Sequence, residues 1–88
     1  MLLIVCRFFV CKKSSFLEVE EDIVKIFGER IRALRLEQNW SQEVLAEKTS
    51  FHRTYIGMVE RGERNLSLRN IETFAKTFEI SISELLKL

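Results

Sequence analysis

There is no proline anywhere in these 88 residues, and there are only three glycines. Without proline nothing deletes an interior helix hydrogen bond, and an all-helical reading is favoured. The three glycines do not cluster, so no glycine-rich phosphate loop exists. Histidine occurs once, at His52, with no ligand cluster, carboxylate dyad or nucleophile at a suggestive spacing. No catalytic residue, metal ligand or cofactor is therefore expected, and the protein does not read as an enzyme. Cysteine occurs twice, at Cys6 and Cys11, a separation that suits neither a zinc site nor a shared strand face. Both read as free cytosolic thiols, which sets the expected location in the cytoplasm. Long apolar runs are missing too. Met1 to Cys11 is apolar apart from Arg7, but a bilayer span needs about 20 such residues. That run also lacks the basic flank and small-residue cleavage site of a secretory signal.

What is present is an ordinary globular composition, 47% hydrophobic and 31% charged, in a length that suits one small domain. A formal net charge of +1 supplies no global field for a polyanion. From Lys25 onward 11 Lys and Arg stand against 9 Asp and Glu, a balance of +2; residues 1–24 carry 3 against 4. Any nucleic-acid-binding charge must then be a local patch. The chain divides into an extension, 1–24, and a helical unit, 25–88.

In the extension, Leu3-Ile4-Val5 and Phe8-Phe9-Val10 have the β-branched and aromatic content of a strand. Three readings stay open for it: an arm at a dimer interface, an appendage on the helical core, or upstream sequence from a misassigned start. Lys12-Lys13-Ser14-Ser15 reads as a linker, and the acidic run Glu18 to Asp22 leads into the first helix, where it suits the helix dipole.

From Asp22 to Glu37 the apolar residues Ile23, Phe27, Ile31 and Leu34 recur between charges, which predicts an amphipathic helix. Ser41 reads as the cap of a second helix, with Trp40 and Leu45 placed to form a hydrophobic staple. The same pattern recurs at Leu66-Ser67 with Ile71 and at Ile80-Ser81 with Leu85, where Glu84 also has capping-box spacing. Thr49-Ser50 is expected to end the second helix and open the third, which closes at Gly62 in a left-handed turn. A fourth helix carries Ile71, Phe74, Ala75 and Phe78 on one stripe. The expected core is Phe27, Ile31, Leu34, Leu45, Ala46, Ile56, Val59, Ile71, Phe74, Phe78 and Leu85. The prediction is a compact all-α, five-helix domain.

A capped helix, a tight turn and a second short helix with polar side chains is the order that places one helix in a DNA major groove. At 100° per residue, Ile56, Val59 and Glu60 fall on one side of the third helix, with Thr54, Gly57 and Met58 opposite. Arg53, Thr54, Tyr55 and Met58 are the expected base readers. Arginine can donate twice to guanine O6 and N7, and the threonine methyl can meet thymine. Ser41 and Gln42 at the start of the second helix are expected at phosphates, with His52, Arg61, Arg64 and Asn65. Glu60 points toward the core and needs a buried partner, for which Arg35 is the candidate: a structural ion pair rather than a DNA contact.

These residues resemble the phage-repressor and Cro-like helix-turn-helix family, also called the xenobiotic-response-element family, over about Ile26 to Leu88. The carriers are Phe27 to Arg35, Ser41-Gln42-Glu43-Val44-Leu45-Ala46, Tyr55-Ile56, Glu60-Arg61-Gly62 and Leu68 to Glu72. Within that family, His52-Arg53-Thr54-Tyr55-Ile56 and Glu60 to Asn65 look most like the controller proteins of restriction–modification systems. The resemblance implies a lambda-repressor-like fold and a homodimer on double-stranded DNA with palindromic operators. It also implies dimerisation through the last two helices, with Phe78, Ile82 and Leu86 as contributors. The leading expectation is a sequence-specific transcriptional regulator. The alternative is an antitoxin that neutralises a protein partner, motivated by the apolar Met1–Cys11 arm.

Overall fold

The computed structural model describes residues 22–88, in which five helices follow one another. They are α1 (Ile23–Glu37), α2 (Gln42–Thr49), α3 (Arg53–Glu60), α4 (Leu68–Phe78) and α5 (Ile82–Leu85). The expected strand and linker of the extension, and the thiols Cys6 and Cys11, lie outside the described residues. Helix α1 starts where the Asp22 carboxylate accepts the Val24 N–H at 3.1 Å; no acidic residue sits in the first turn itself. Its buried stripe is Phe27, Ile31 and Leu34, whereas Ile23 continues the same periodicity but is 61% exposed. Periodicity runs on past the point where the core ends.

Helix α1 crosses α3 at Gly28. A Cβ there would collide with the Val59 carbonyl oxygen, so the approach of the two backbones requires glycine. Helix α1 then ends in a left-handed Asn39, φ 62°, with the Trp40 N–H donating to the Arg35 carbonyl at 3.2 Å. Asparagine tolerates this region better than most residues. The turn delivers Trp40 to stack on Phe78, ring centroids 5.7 Å apart, and Ser41 to cap α2.

The serines at 41, 67 and 81 each accept a backbone N–H from the residue three positions on, at 3.0 to 3.1 Å. Helix α3 departs from the expected start. Ser50 is left-handed, φ 67°, so it cannot adopt the extended backbone of a cap. His52 caps α3 instead, its Nδ1 accepting the Thr54 N–H at 3.1 Å. Thr49 turns its hydroxyl inward onto the Leu45 carbonyl at 2.9 Å. Helix α3 closes at Gly62, φ 76°, with the Glu63 N–H donating to the Met58 carbonyl at 2.9 Å.

The core is Phe27, Ile31, Leu34, Leu45, Ala46, Ile56, Val59, Phe74, Ala75, Phe78 and Leu85. Ile71, expected within it, is half-buried against its edge, because α4 turns that position toward the loop after α3. Each large apolar side chain enclosed here contributes about 1.5–3 kcal/mol. Helix α5 is held from outside: Arg30 on α1 donates Nε to the Leu85 carbonyl at 3.2 Å and Nη2 to the Glu84 carbonyl at 2.9 Å. The Glu84 carboxylate pairs with Lys87 at 3.3 Å and Arg30 at 3.8 Å, so only the serine half of its capping box is made. Among the described residues no helix is long and apolar enough to cross a membrane.

Candidate nucleic-acid interface

Helix α3 is held at its C-terminal end by a buried carboxylate. Glu60 Oε2 accepts Arg35 Nε at 2.7 Å, and Oε1 accepts both Arg35 Nη2 at 3.0 Å and Gln42 Nε2 at 3.1 Å. The remaining arm of Arg35 donates Nη1 to the Trp40 carbonyl at 2.9 Å. The side chains of Arg35 and Glu60 are 9% and 3% exposed. One cluster therefore ties the end of α1, the turn before α2, the first residue of α2 and the end of α3. Gln42, expected at a phosphate, gives one amide hydrogen to this cluster and keeps the other.

The opposite end of α3 is open to solvent. His52, Arg53 and Thr54 are exposed. The His52 Nδ1 serves the cap, which leaves its Nε2–H to donate outward. Arg53 meets Glu43 through Nε at 3.2 Å, and both side chains are well exposed. Tyr55 departs from the expected outward position. It is half-buried, its ring lies edge-on to Phe51 at 4.9 Å, and its hydroxyl oxygen accepts from Asn70 Nδ2 at 2.9 Å. It supports α3 on α4 and keeps its own O–H free to donate. Met58 is half-buried. Gly57, expected on the outward face, is covered because Arg61 folds back over it: Arg61 Nη1 comes within 3.1 Å of where a Cβ would stand, beside Gln42 Oε1 at 3.8 Å.

Beyond Gly62 the loop carries the other expected phosphate contacts. Arg61 donates Nε and Nη2 to the Glu63 carboxylate at 3.0 and 3.2 Å. Those bonds hold the Arg61 guanidinium above its ordinary pKa and the Glu63 carboxyl below its own. Arg64 lies over the Tyr55 ring, 5.6 Å from its centroid, and Asn65 is exposed. Ser41 is exposed; its Oγ accepts from Val44 while its hydroxyl proton stays available. Sequence reasoning missed Glu43, Glu63 and Asn70, because their partners are reached through side chains that fold back along the surface.

The residues expected at a dimer interface separate. Phe78 is 7% exposed and stacked on Trp40, so its ring is committed to the core and is withdrawn from that surface. Ile82 and Leu86 are 36% and 40% exposed. Leu68 and Leu88 are exposed as well, and Leu86, Leu88 and Ile23 line an apolar groove with Leu66 and Ile71.

A helix-turn-helix family profile matches residues 31–85, from the middle of α1 to the end of α5. The chain belongs to the helix-turn-helix family. The matched span holds Arg35, Gln42, the whole of α3 and the loop after it. The control protein C.SmaI of Serratia marcescens is 48% identical over 65 residues, covering 74% of this chain and 77% of that one. The crystal structure of the restriction–modification controller protein C.AhdI from Aeromonas hydrophila superposes with a TM-score of 0.68 at 48% identity, over 74% of this chain and 97% of that one. The controller protein C.Esp1396I, solved as a tetramer in complex with its natural 35 base-pair operator, superposes at 0.70 with 34% identity, over 77% and 90% of the two chains. Within the family, this chain is most like the restriction–modification controller proteins.

Proposed function

We propose that the protein is a sequence-specific DNA-binding transcriptional regulator, the controller of a restriction–modification system, acting in the cytoplasm as a homodimer on a palindromic operator. Its DNA-binding unit is residues 25–88, extended upstream by the first turn of α1. The observation that carries this reading is the start of α3: Arg53 and Thr54 stand exposed at one end of a helix whose other end is locked by Arg35, Glu60 and Gln42. A recognition helix needs both properties, since its N-terminal side chains meet base edges while the body is held rigid.

In this account α3 enters the major groove. Arg53 has one exposed partner, Glu43, and can exchange it to fork onto guanine O6 and N7. Thr54 reads the neighbouring step, and Tyr55 and Met58 line the margin of the contact. The Ser41 hydroxyl, the free Gln42 amide hydrogen and the backbone at the start of α2 grip one phosphate strand. His52 Nε2, Arg61, Arg64 and Asn65 grip phosphates around α3, which fixes register without reading sequence. Two copies joined through Ile82 and Leu86 would have to present their α3 helices about 34 Å apart, one turn of DNA. Similarity to C.SmaI and to operator-bound C.Esp1396I supports the controller reading over the antitoxin one.

A gel-shift titration of the full chain tests it, using DNA from upstream of its own gene and a scrambled duplex of equal length. The upstream duplex shifts at far lower protein concentration. Equal affinity for the two duplexes would sink the reading.

A further inference from the structure

Arg61 caps the C-terminal end of α3, and its exposed side chain does not extend away from the protein. It folds back along the outward face, with Nη1 in the space left by the missing side chain of Gly57. There the Glu63 carboxylate takes Nε and Nη2 together, at 3.0 and 3.2 Å. This is the side-by-side geometry with which arginine also holds a phosphate. Three local features build the arrangement. Gly57 leaves room for the guanidinium, and the left-handed Gly62 reverses the chain so that residue 63 returns alongside residue 61. The bond from the Glu63 N–H to the Met58 carbonyl then fixes the glutamate backbone. Both partners are charged at neutral pH, and their mutual hydrogen bonds favour the charged forms further, shifting Arg61 upward and Glu63 downward.

We propose that Glu63 is a specificity-determining residue that acts through Arg61, holding its fork until an operator phosphate replaces the carboxylate. The proposal rests on the DNA-binding function above. Binding to arbitrary DNA is built from phosphate contacts, so occupying one arginine fork removes a contact from every non-specific complex. On the operator the other contacts fix a phosphate against that fork, and one bidentate acceptor exchanges for another. The side chains of the pair are 59% and 52% exposed, which keeps it weak enough to exchange.

The test is fluorescence anisotropy of the full chain on operator and scrambled duplexes over a range of salt. Glu63→Gln should tighten scrambled-duplex binding by about two- to fivefold, the range of an exposed ion pair. It should also steepen the salt slope on that duplex by about one phosphate contact. Glu72→Gln makes the same charge change on α4 and should not do so. In an Arg61→Ala background Glu63→Gln should have no effect, because there is no fork left to release. Equal tightening with and without Arg61 would overturn the proposal in favour of direct repulsion between Glu63 and phosphate. No tightening in either background would overturn it outright. If the wild-type chain bound both duplexes alike, the regulator function would fall, while the paired variants on scrambled DNA would still decide the role of Glu63.

Discussion

At the scale of single residues, two arginines with the same side chain do opposite work. Arg35 uses all three guanidinium nitrogens inside the protein, two on Glu60 and one on Trp40. Arg53 stands in solvent with one loose partner. Glu60→Gln leaves the buried Arg35 charge without its counter-ion, and the expected loss is about 3–5 kcal/mol of folding stability, read by urea denaturation. A loss under about 1 kcal/mol would show that the cluster is not structurally required. Glycine at 28 is equally constrained. Gly28→Val forces α1 away from α3 and should cost about 1–3 kcal/mol in the same measurement, with α3 and its DNA-facing end displaced. An unchanged unfolding midpoint would contradict the close crossing.

At the scale of elements, the helix starts are set by short-range chemistry. Ser67 caps α4 through the Asn70 N–H, so Ser67→Ala should cost about 1 kcal/mol in thermal or urea unfolding. Glu79 ends α4 in the left-handed region at φ 61°, where a Cβ is disfavoured. Glu79→Gly should stabilise the fold by up to about 1 kcal/mol, and a loss of stability would argue that its side chain has another role. This locality explains what was legible in the sequence. Serine caps and the αL glycine at 62 depend on neighbours only a few residues away, and a sequence displays those. The Arg35–Glu60 partnership was also legible, because an inward-pointing carboxylate demands a cation and few stand at the right height. The rest was not. His52 is an uncommon cap, and Ser50 beside it looks like a better one until its φ is known. Arg30 closes α5 from more than fifty residues away. Helical angle alone put Tyr55 and Gly57 outward, but Phe51, Asn70 and the returning Arg61 cover them.

At the scale of the whole molecule, aromatic packing closes the core while apolar side chains remain exposed at the C-terminal end. Aromatic rings join α1 and the turn before α2 to α4: Phe27 lies edge-on to Phe74 at 6.4 Å, and Trp40 stacks on Phe78. Half of the exposed large apolar residues among those described, Ile82, Leu86 and Leu88, lie on or just after α5. If that surface joins two copies, Leu86→Glu should yield monomers in sedimentation velocity at micromolar concentration. Its own folding stability should change by no more than about 0.5 kcal/mol. A variant that stays dimeric would move the interface elsewhere.

In the proposed function the exposed end of α3 reads bases. This is tested most directly by titrating wild-type protein and Arg53→Ala against a set of operator duplexes, each with one base pair changed. Wild type should lose about 1–3 kcal/mol at a guanine position in each half-site, and Arg53→Ala should no longer distinguish the bases at that position alone. If Arg53→Ala instead weakened binding to every duplex by the same factor, Arg53 would be a phosphate contact, and the account would be contradicted.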